Sequence, residues 1–140
     1  MTGDRSRLSR RALLIGALVV AVGGCAHLEE RSRIISLQNK ARAFMKMLRW
    51  GNFEAASVYL RNRDGSVPKV DLERLQAIRV TNADHVVDAA SRESTVAELN
   101  ARFDYQLVNS ATVKTLNYRV TWWFDEEEEK WFVEGGLPNF

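Results

Sequence analysis

Few side chains in this 140-residue sequence could carry covalent or metal chemistry. It holds one cysteine, Cys25, and two histidines, His27 and His85. A single cysteine excludes an intramolecular disulfide and a zinc site built from cysteines. The two histidines are far apart in the sequence, and no Gly-x-Ser-x-Gly motif marks a nucleophilic serine. We therefore expect no metal ion and no cofactor, and we interpret His85 as an ordinary residue of the surface or of an edge strand.

The residues before Cys25 have the three parts of an export signal. A basic stretch over residues 5–11 precedes an apolar run over residues 12–22, and two glycines follow. A helix of that run is about 16 Å long, which is too short to span a hydrocarbon core of about 30 Å. The pattern predicts a signal peptide over residues 1–24 that is removed.

The end of this segment resembles the lipobox of bacterial lipoprotein precursors, in which an aliphatic residue and two small residues precede a cysteine. The matching residues are Val22, Gly23, Gly24 and Cys25. The resemblance implies that the Cys25 thiol receives a diacylglycerol, that cleavage falls before Cys25, and that its new amino group is acylated. Several acyl chains, such as palmitate, would hold the protein stably on a membrane. The alternative is a secretory signal without lipid, in which the cysteine stands by chance.

Two further features concern export and location. Residues 9–14 resemble a twin-arginine export signal, although an Arg-rich basic stretch also places two arginines together by chance. Ala26 follows the cysteine, in place of the aspartate that tends to retain lipoproteins in the inner membrane of enteric bacteria. The resemblance therefore implies a cell-envelope location, and it favours the periplasmic face of an outer membrane.

The charge of the chain gives no reason to expect a nucleic-acid partner. Its formal net charge is +2, but four of the 20 basic residues and one of the 18 acidic residues lie in residues 1–24. The remaining residues carry a net charge of about −1. We expect residues 25–30 to form the lipidated N-terminus and tether, and residues 31–140 to form a single domain.

The apolar pattern first has the period of a helix. One stripe over residues 28–50 predicts a long amphipathic helix. Its members are Ile34, Leu37, Ala41, Phe44, Met45 and Leu48. Gly51 is a candidate C-terminal cap, and Asn52 is the candidate N-cap of a short helix over residues 53–60. Residues 71–76 predict one further helical turn.

Beyond residue 76 apolar and polar residues alternate, as they do in half-exposed strands. Ile78, Val80 and Val86 predict a first strand with a bulge at residues 82–84. Alternation also predicts strands at residues 95–109, 112–124 and 130–134. The predicted fold class is α+β, with the long helix and the short helix packed on a curved, cone-shaped antiparallel sheet of three to four strands.

The order of the predicted elements resembles that of the nuclear transport factor 2-like superfamily. The resemblance is carried by residues 50–56 (Trp-Gly-Asn-Phe-Glu-Ala-Ala), the long strands after them, and the terminal strand at 130–133. The resemblance covers about residues 28–135 and implies a cone-shaped α+β domain. A cystatin-like helix on a sheet is the alternative. Members of the superfamily are enzymes, binding modules or scaffolds, so the fold does not determine the function.

The ketosteroid isomerases of that superfamily use an aspartate base and a tyrosine that stabilises an oxyanion. The residues of these types here are Tyr105, Tyr118, Asp84 and Asp88. Alternation places Tyr105 and Tyr118 on the apolar face of adjacent strands, which makes them a candidate pocket. Two core tyrosines with hydrogen-bonded hydroxyls explain the pattern as well. Because none of the four lies in a family motif, we assign no catalytic residue.

Two further groups of residues are charged or aromatic. The acidic run at residues 125–129 lacks the glycine and the ligand spacing of a calcium loop, and it predicts a solvated turn. Trp123 is expected on the face opposite the core, with Arg119 beside it and Phe132 on the next strand. These three residues form a candidate partner surface, unless residues 135–140 fold back over them.

These features are compatible with three functions. The leading hypothesis is a non-enzymatic envelope lipoprotein that binds a partner protein or a small ligand at the concave face of the sheet. The alternative is a small isomerase, dehydratase or hydrolase whose apolar pocket would hold an acid of raised pKa. The third is a homodimeric subunit that buries Trp123 and Arg119 between two sheets.

Overall fold

A computed structural model describes residues 23–89, 91–92 and 94–140, with the backbone alone for residues 23–27. The lipobox residue Val22 and most of the predicted signal peptide lie outside the described residues. The described elements are α1 Gly23–Arg49, α2 Phe53–Ser57, α3 Leu72–Gln76, β1 Ile78–Ala89, β2 Val96–Leu107, β3 Lys114–Asp125 and β4 Lys130–Glu134. The protein therefore has the predicted α+β fold.

The junction between α1 and α2 follows from two residues. Gly51 has a φ of 73°, a backbone conformation that glycine adopts without steric cost. Its amide donates to the Leu48 carbonyl at 3.2 Å, and the Asn52 amide donates to the Met47 carbonyl at 2.9 Å. This is a Schellman motif, which satisfies the last carbonyls of α1. The Asn52 side chain then accepts the Ala55 amide at 3.3 Å and begins α2.

The four strands form one antiparallel sheet in the order β1-β2-β3-β4. The first three strands have 12 residues each, and β4 has five. The segment after α2 runs along the outer edge of β4, where Leu60 forms a parallel bridge with Val133. The Arg61 amide donates to the Val133 carbonyl at 2.9 Å, and the Val133 amide donates to the Tyr59 carbonyl at 2.8 Å. These bonds protect part of this sheet edge.

The inner face of the sheet packs against α1 and is apolar. The largest fully buried side chains of the described part include Trp122, Phe44 and Phe103. The α1 residues that enter the core are Leu37, Ala41, Phe44, Met45 and Leu48. Among the described residues, the members of this cluster and the side chains packed against it lie at residues 37–140.

A bulge in β1 determines which of its residues face the core. The register shifts between Val80 and Asn82, which leaves Thr81 as the extra residue. Beyond the bulge Ala83 packs against the core, whereas Val86 is 67% exposed. Val86 belongs to β1, as predicted, but the bulge lies at Thr81 rather than at residues 82–84. Because one inserted residue reverses the alternation, Val86 points away from the core.

Candidate functional site

Tyr105 and Tyr118 both lie on the inner face of the sheet, but they do not share a cavity. Tyr118 is opposite Ala101, Tyr105 is opposite Lys114, and the row of Phe103 lies between them. The Tyr118 hydroxyl donates to the Gly136 carbonyl at 2.8 Å. Burial raises the pKa of Tyr118 well above its usual value, so this hydroxyl stays protonated.

The last residues of the chain pack on the inner side of the sheet beside Tyr105. The Phe140 ring lies 5.1 Å from the ring of Tyr105, 5.3 Å from Phe103 and 5.9 Å from Phe53. The Arg74 guanidinium donates to the Phe140 backbone carbonyl at 2.7 Å. The inner face therefore carries its own aromatic side chain where the leading hypothesis places a ligand.

No aspartate of the described residues comes to the two tyrosines. Asp84 and Asp88 follow the bulge and point to the outer face, where both are exposed. His85 lies on β1, an edge strand, and is exposed to solvent. Partial burial of its ring and the nearby charge of Arg42 lower its pKa, and the charge of Asp84 opposes both effects. Among the described residues no polar or charged residue is buried.

Trp123 and Phe132 lie side by side on the outer face, with ring centroids 5.6 Å apart. The chain after α2 covers them, because the Arg61 guanidinium lies 4.0 Å from the centre of the Phe132 ring. The Trp123 indole N–H donates to the Arg61 carbonyl at 2.7 Å. Phe132 is accordingly only 7% exposed. Arg61 provides the cover, whereas residues 135–140 pass to the inner side.

Arg119 stands apart from these two aromatic residues. Its side chain is 74% exposed, and its Nε atom lies 3.4 Å from the Glu98 carboxylate and 2.9 Å from the Asn100 side-chain oxygen. The register places Arg119 opposite Asn100 and Trp123 opposite Val96. The three residues of the candidate partner surface thus divide between a covered aromatic pair and an exposed cation.

The outer face instead forms a polar groove of about 530 Å³ around Arg119. Its walls include Asp84, Asn100, Arg102, Asn117 and Arg119. A second groove of about 630 Å³ begins at the next row of the sheet, and its walls include Asp88, Glu98 and Thr121. Asn100, Arg102 and Asn117 are not among the predicted site residues. In the sequence they are marked only by their polar positions in the two alternating strands.

The acidic turn uses two of its carboxylates for structure. The Asp125 side chain accepts the amides of Glu127 and Glu128 at 2.9 and 3.0 Å. Glu128 accepts a hydrogen bond from Arg61 and lies 3.5 Å from Lys130. Over the described residues no group of three or more metal-ligating side chains forms.

Cys25 lies in the first turn of α1, and the backbone of residues 25–30 is helical. In the described part of the chain no helix is both long and apolar enough to cross a membrane. Comparison of the chain with protein-family models and with curated proteins finds no match.

Proposed function

We propose that this chain is a bacterial lipoprotein that acyl groups on Cys25 hold in the cell envelope. The basic stretch, the apolar run and the lipobox of Val22, Gly23 and Gly24 support the proposal. Ala26 supports the periplasmic face of the outer membrane as the location. The resemblance to the nuclear transport factor 2-like superfamily belongs to the same proposal.

The domain acts as a non-enzymatic binding or scaffold module that meets an envelope protein with the outer face of its sheet. One observation carries this choice of face: Phe140 occupies the concave inner side. The outer face offers two polar grooves and the exposed Arg119. Such a surface suits a polar partner that accepts hydrogen bonds from arginine. The alternative, a small enzyme, requires Phe140 to leave and an acid to approach Tyr105 and Tyr118.

The anchor is tested by acyl labelling of the full chain in a bacterium. The wild type should incorporate a labelled fatty acid and fractionate with membranes. Cys25→Ser should lose the label, whereas the control Ser94→Ala should keep it. A wild-type chain that is cut at residue 24 and exported without label would contradict the lipoprotein proposal.

The binding face is tested by a photo-crosslinking residue in the groove. A crosslinker at Asn117 should give one discrete adduct in intact cells, and a crosslinker at the exposed Lys69 should give none. Arg102→Ala with Arg119→Ala should abolish the Asn117 adduct. An adduct with the mass of two chains would favour the homodimer. Equal adducts from both positions would contradict the choice of face.

A further inference from the structure

One exposed flank of α1 carries a stripe of cations and exposed aliphatic side chains. Successive helical residues are about 100° apart, so six of the described side chains fall within about 60° of arc. One of them, Arg49, donates to the Val80 carbonyl of β1 at 2.6 Å and is occupied there. The other five, named the α1 stripe, are Leu28, Arg31, Ile35, Arg42 and Lys46. Leu28 is 69% exposed and Ile35 is 49% exposed, and all three cations are exposed. No carboxylate belongs to the stripe, since Glu29 and Glu30 project elsewhere on the helix.

The α1 stripe begins next to the proposed anchor. Leu28 follows Cys25 by about 4.5 Å along the helix axis, and Lys46 lies about 27 Å beyond Leu28. Because residues 25–30 are helical, no flexible segment separates Cys25 from the stripe. An acylated Cys25 would therefore hold Leu28 at the level of the lipid headgroups.

The acidic turn lies on another flank of α1. A cleft of about 570 Å³ separates Glu126 and Glu129 of this turn from the helix, and Glu29 and Ser36 line the helix side. Three carboxylates and one guanidinium, that of Arg33, line this cleft, whereas the α1 stripe carries only positive charge. A surface of anionic headgroups attracts the stripe and repels the turn, which selects one orientation of the domain.

We infer that the α1 stripe is a second membrane contact, which lays α1 along an anionic phospholipid surface. This inference rests on the proposed lipid anchor. Arg31, Arg42 and Lys46 bind headgroup phosphates, and Leu28 and Ile35 enter the boundary between headgroups and acyl chains. A single acyl chain gives only marginal binding, and a basic patch beside it is an established way to strengthen an anchor. The contact holds the outer-face grooves in a constant orientation to the bilayer.

The test uses residues 25–140 with Cys25→Ser, so that no acyl chain contributes. This protein is mixed with vesicles of phosphatidylglycerol and phosphatidylethanolamine, or with vesicles of phosphatidylcholine, and bound protein is measured by flotation. Binding to the anionic vesicles alone is expected. The variant Arg31→Gln, Arg42→Gln, Lys46→Gln should weaken this binding about a hundredfold, at about fivefold for each cation. Glutamine is a good helix former, so α1 remains intact.

A matched variant separates the stripe from overall charge. Lys69→Gln, Arg79→Gln and Lys114→Gln change the net charge equally at exposed positions outside α1. This control should bind within about twofold of the parent, because only charges within about a Debye length of the bilayer contribute. Leu28→Ser with Ile35→Ser should weaken binding several-fold, and circular dichroism checks the helix content of each variant.

Three results would overturn the inference: no binding to the anionic vesicles, equal binding to phosphatidylcholine, or equal loss in the control variant. If the domain did not bind the anionic vesicles, an acidic protein would replace the membrane as the expected partner of the α1 stripe. Failure of the anchor itself has a different signature, because acyl labelling of Cys25 would be absent while the unacylated domain still bound anionic vesicles.

Discussion

Two neighbouring tryptophans, Trp122 on the inner face of the sheet and Trp123 on its outer face, are held by different interactions. Trp122 is fully buried, and its ring meets Phe44 edge-on at 5.5 Å. Among the described residues it carries the one buried side-chain polar atom without a hydrogen-bond partner, its indole nitrogen. Trp123 is half-buried and donates its N–H to the Arg61 carbonyl. Packing alone holds the first tryptophan, and a specific hydrogen bond holds the second.

This difference indicates that the inner face contributes to stability and that the outer face is the one suited to recognition. The inner face has residues 137–140, α1 and its own aromatic rings as partners, so it is committed to the core. Within the described part of the chain, Arg61 covers the outer face where it crosses Trp123 and Phe132. Its remaining polar grooves are available to another molecule. Substitutions on the two faces should therefore have effects of different kind and size.

The largest effect is expected from Trp122→Ala. Removing a fully buried tryptophan leaves a cavity between α1 and the sheet, and it should lower the free energy of unfolding by about 4 kcal/mol. Trp122→Phe should cost clearly less, because it keeps part of the ring volume and removes the unpaired N–H. Urea unfolding measures both. A smaller loss for Trp122→Ala than for Trp123→Ala would refute the distinction between the faces.

Phe140→Ala should open the inner side of the sheet beside Tyr105. The lost contacts with Phe53, Phe103 and Tyr105 should lower the free energy of unfolding by about 2 kcal/mol. The variant should also bind an apolar fluorescent dye more strongly than the wild type does. Asn139→Ala, at the exposed neighbouring position, is the control and should change neither property. Unchanged dye binding in Phe140→Ala would show that the inner side stays closed without Phe140.

Trp123→Ala should lower the free energy of unfolding by about 1.5 kcal/mol, through the lost hydrogen bond and the lost ring contact. Trp123→Phe keeps a ring beside Phe132 and should cost only the hydrogen bond, about 1 kcal/mol. Chemical denaturation of the two variants checks this order. The assignment of the N–H donor to Arg61 would fail if Trp123→Phe were as stable as the wild type.

Glu128 should give a small pH dependence of stability. The hydrogen bond from Arg61 lowers the pKa of Glu128 below its usual 4.5 in the folded protein. Its contribution is therefore complete above the unfolded pKa and is lost as the pH falls through the folded pKa. Between about pH 5 and pH 3 the melting temperature of Glu128→Gln should fall less than that of the wild type. Because the pair is exposed, the difference should be small. Identical slopes in the two proteins would contradict the assignment.

The local elements of this fold were predictable because their signals are short in range. Gly51 and Asn52 marked the end of α1 and the start of α2, and β4 has the bounds that alternation predicted. The helix over residues 53–60 was predicted too long, since only Phe53–Ser57 are helical. The following residues leave the helix to pair with β4. The bulge of β1 lies at Thr81 rather than at residues 82–84, and it shifts the phase of every later residue in that strand.

By itself the sequence determined the fold class, the order of the elements and the apolar side of β2 and β3, because periodicity and caps are properties of neighbouring residues. Tertiary structure alone decided that Phe140 fills the space beside Tyr105 and that Arg61 covers Phe132. It also decided that Asp84 and Asp88 point away from the tyrosines. These contacts join residues far apart in the chain, and their geometry depends on how strands twist and segments fold back, which no local pattern encodes.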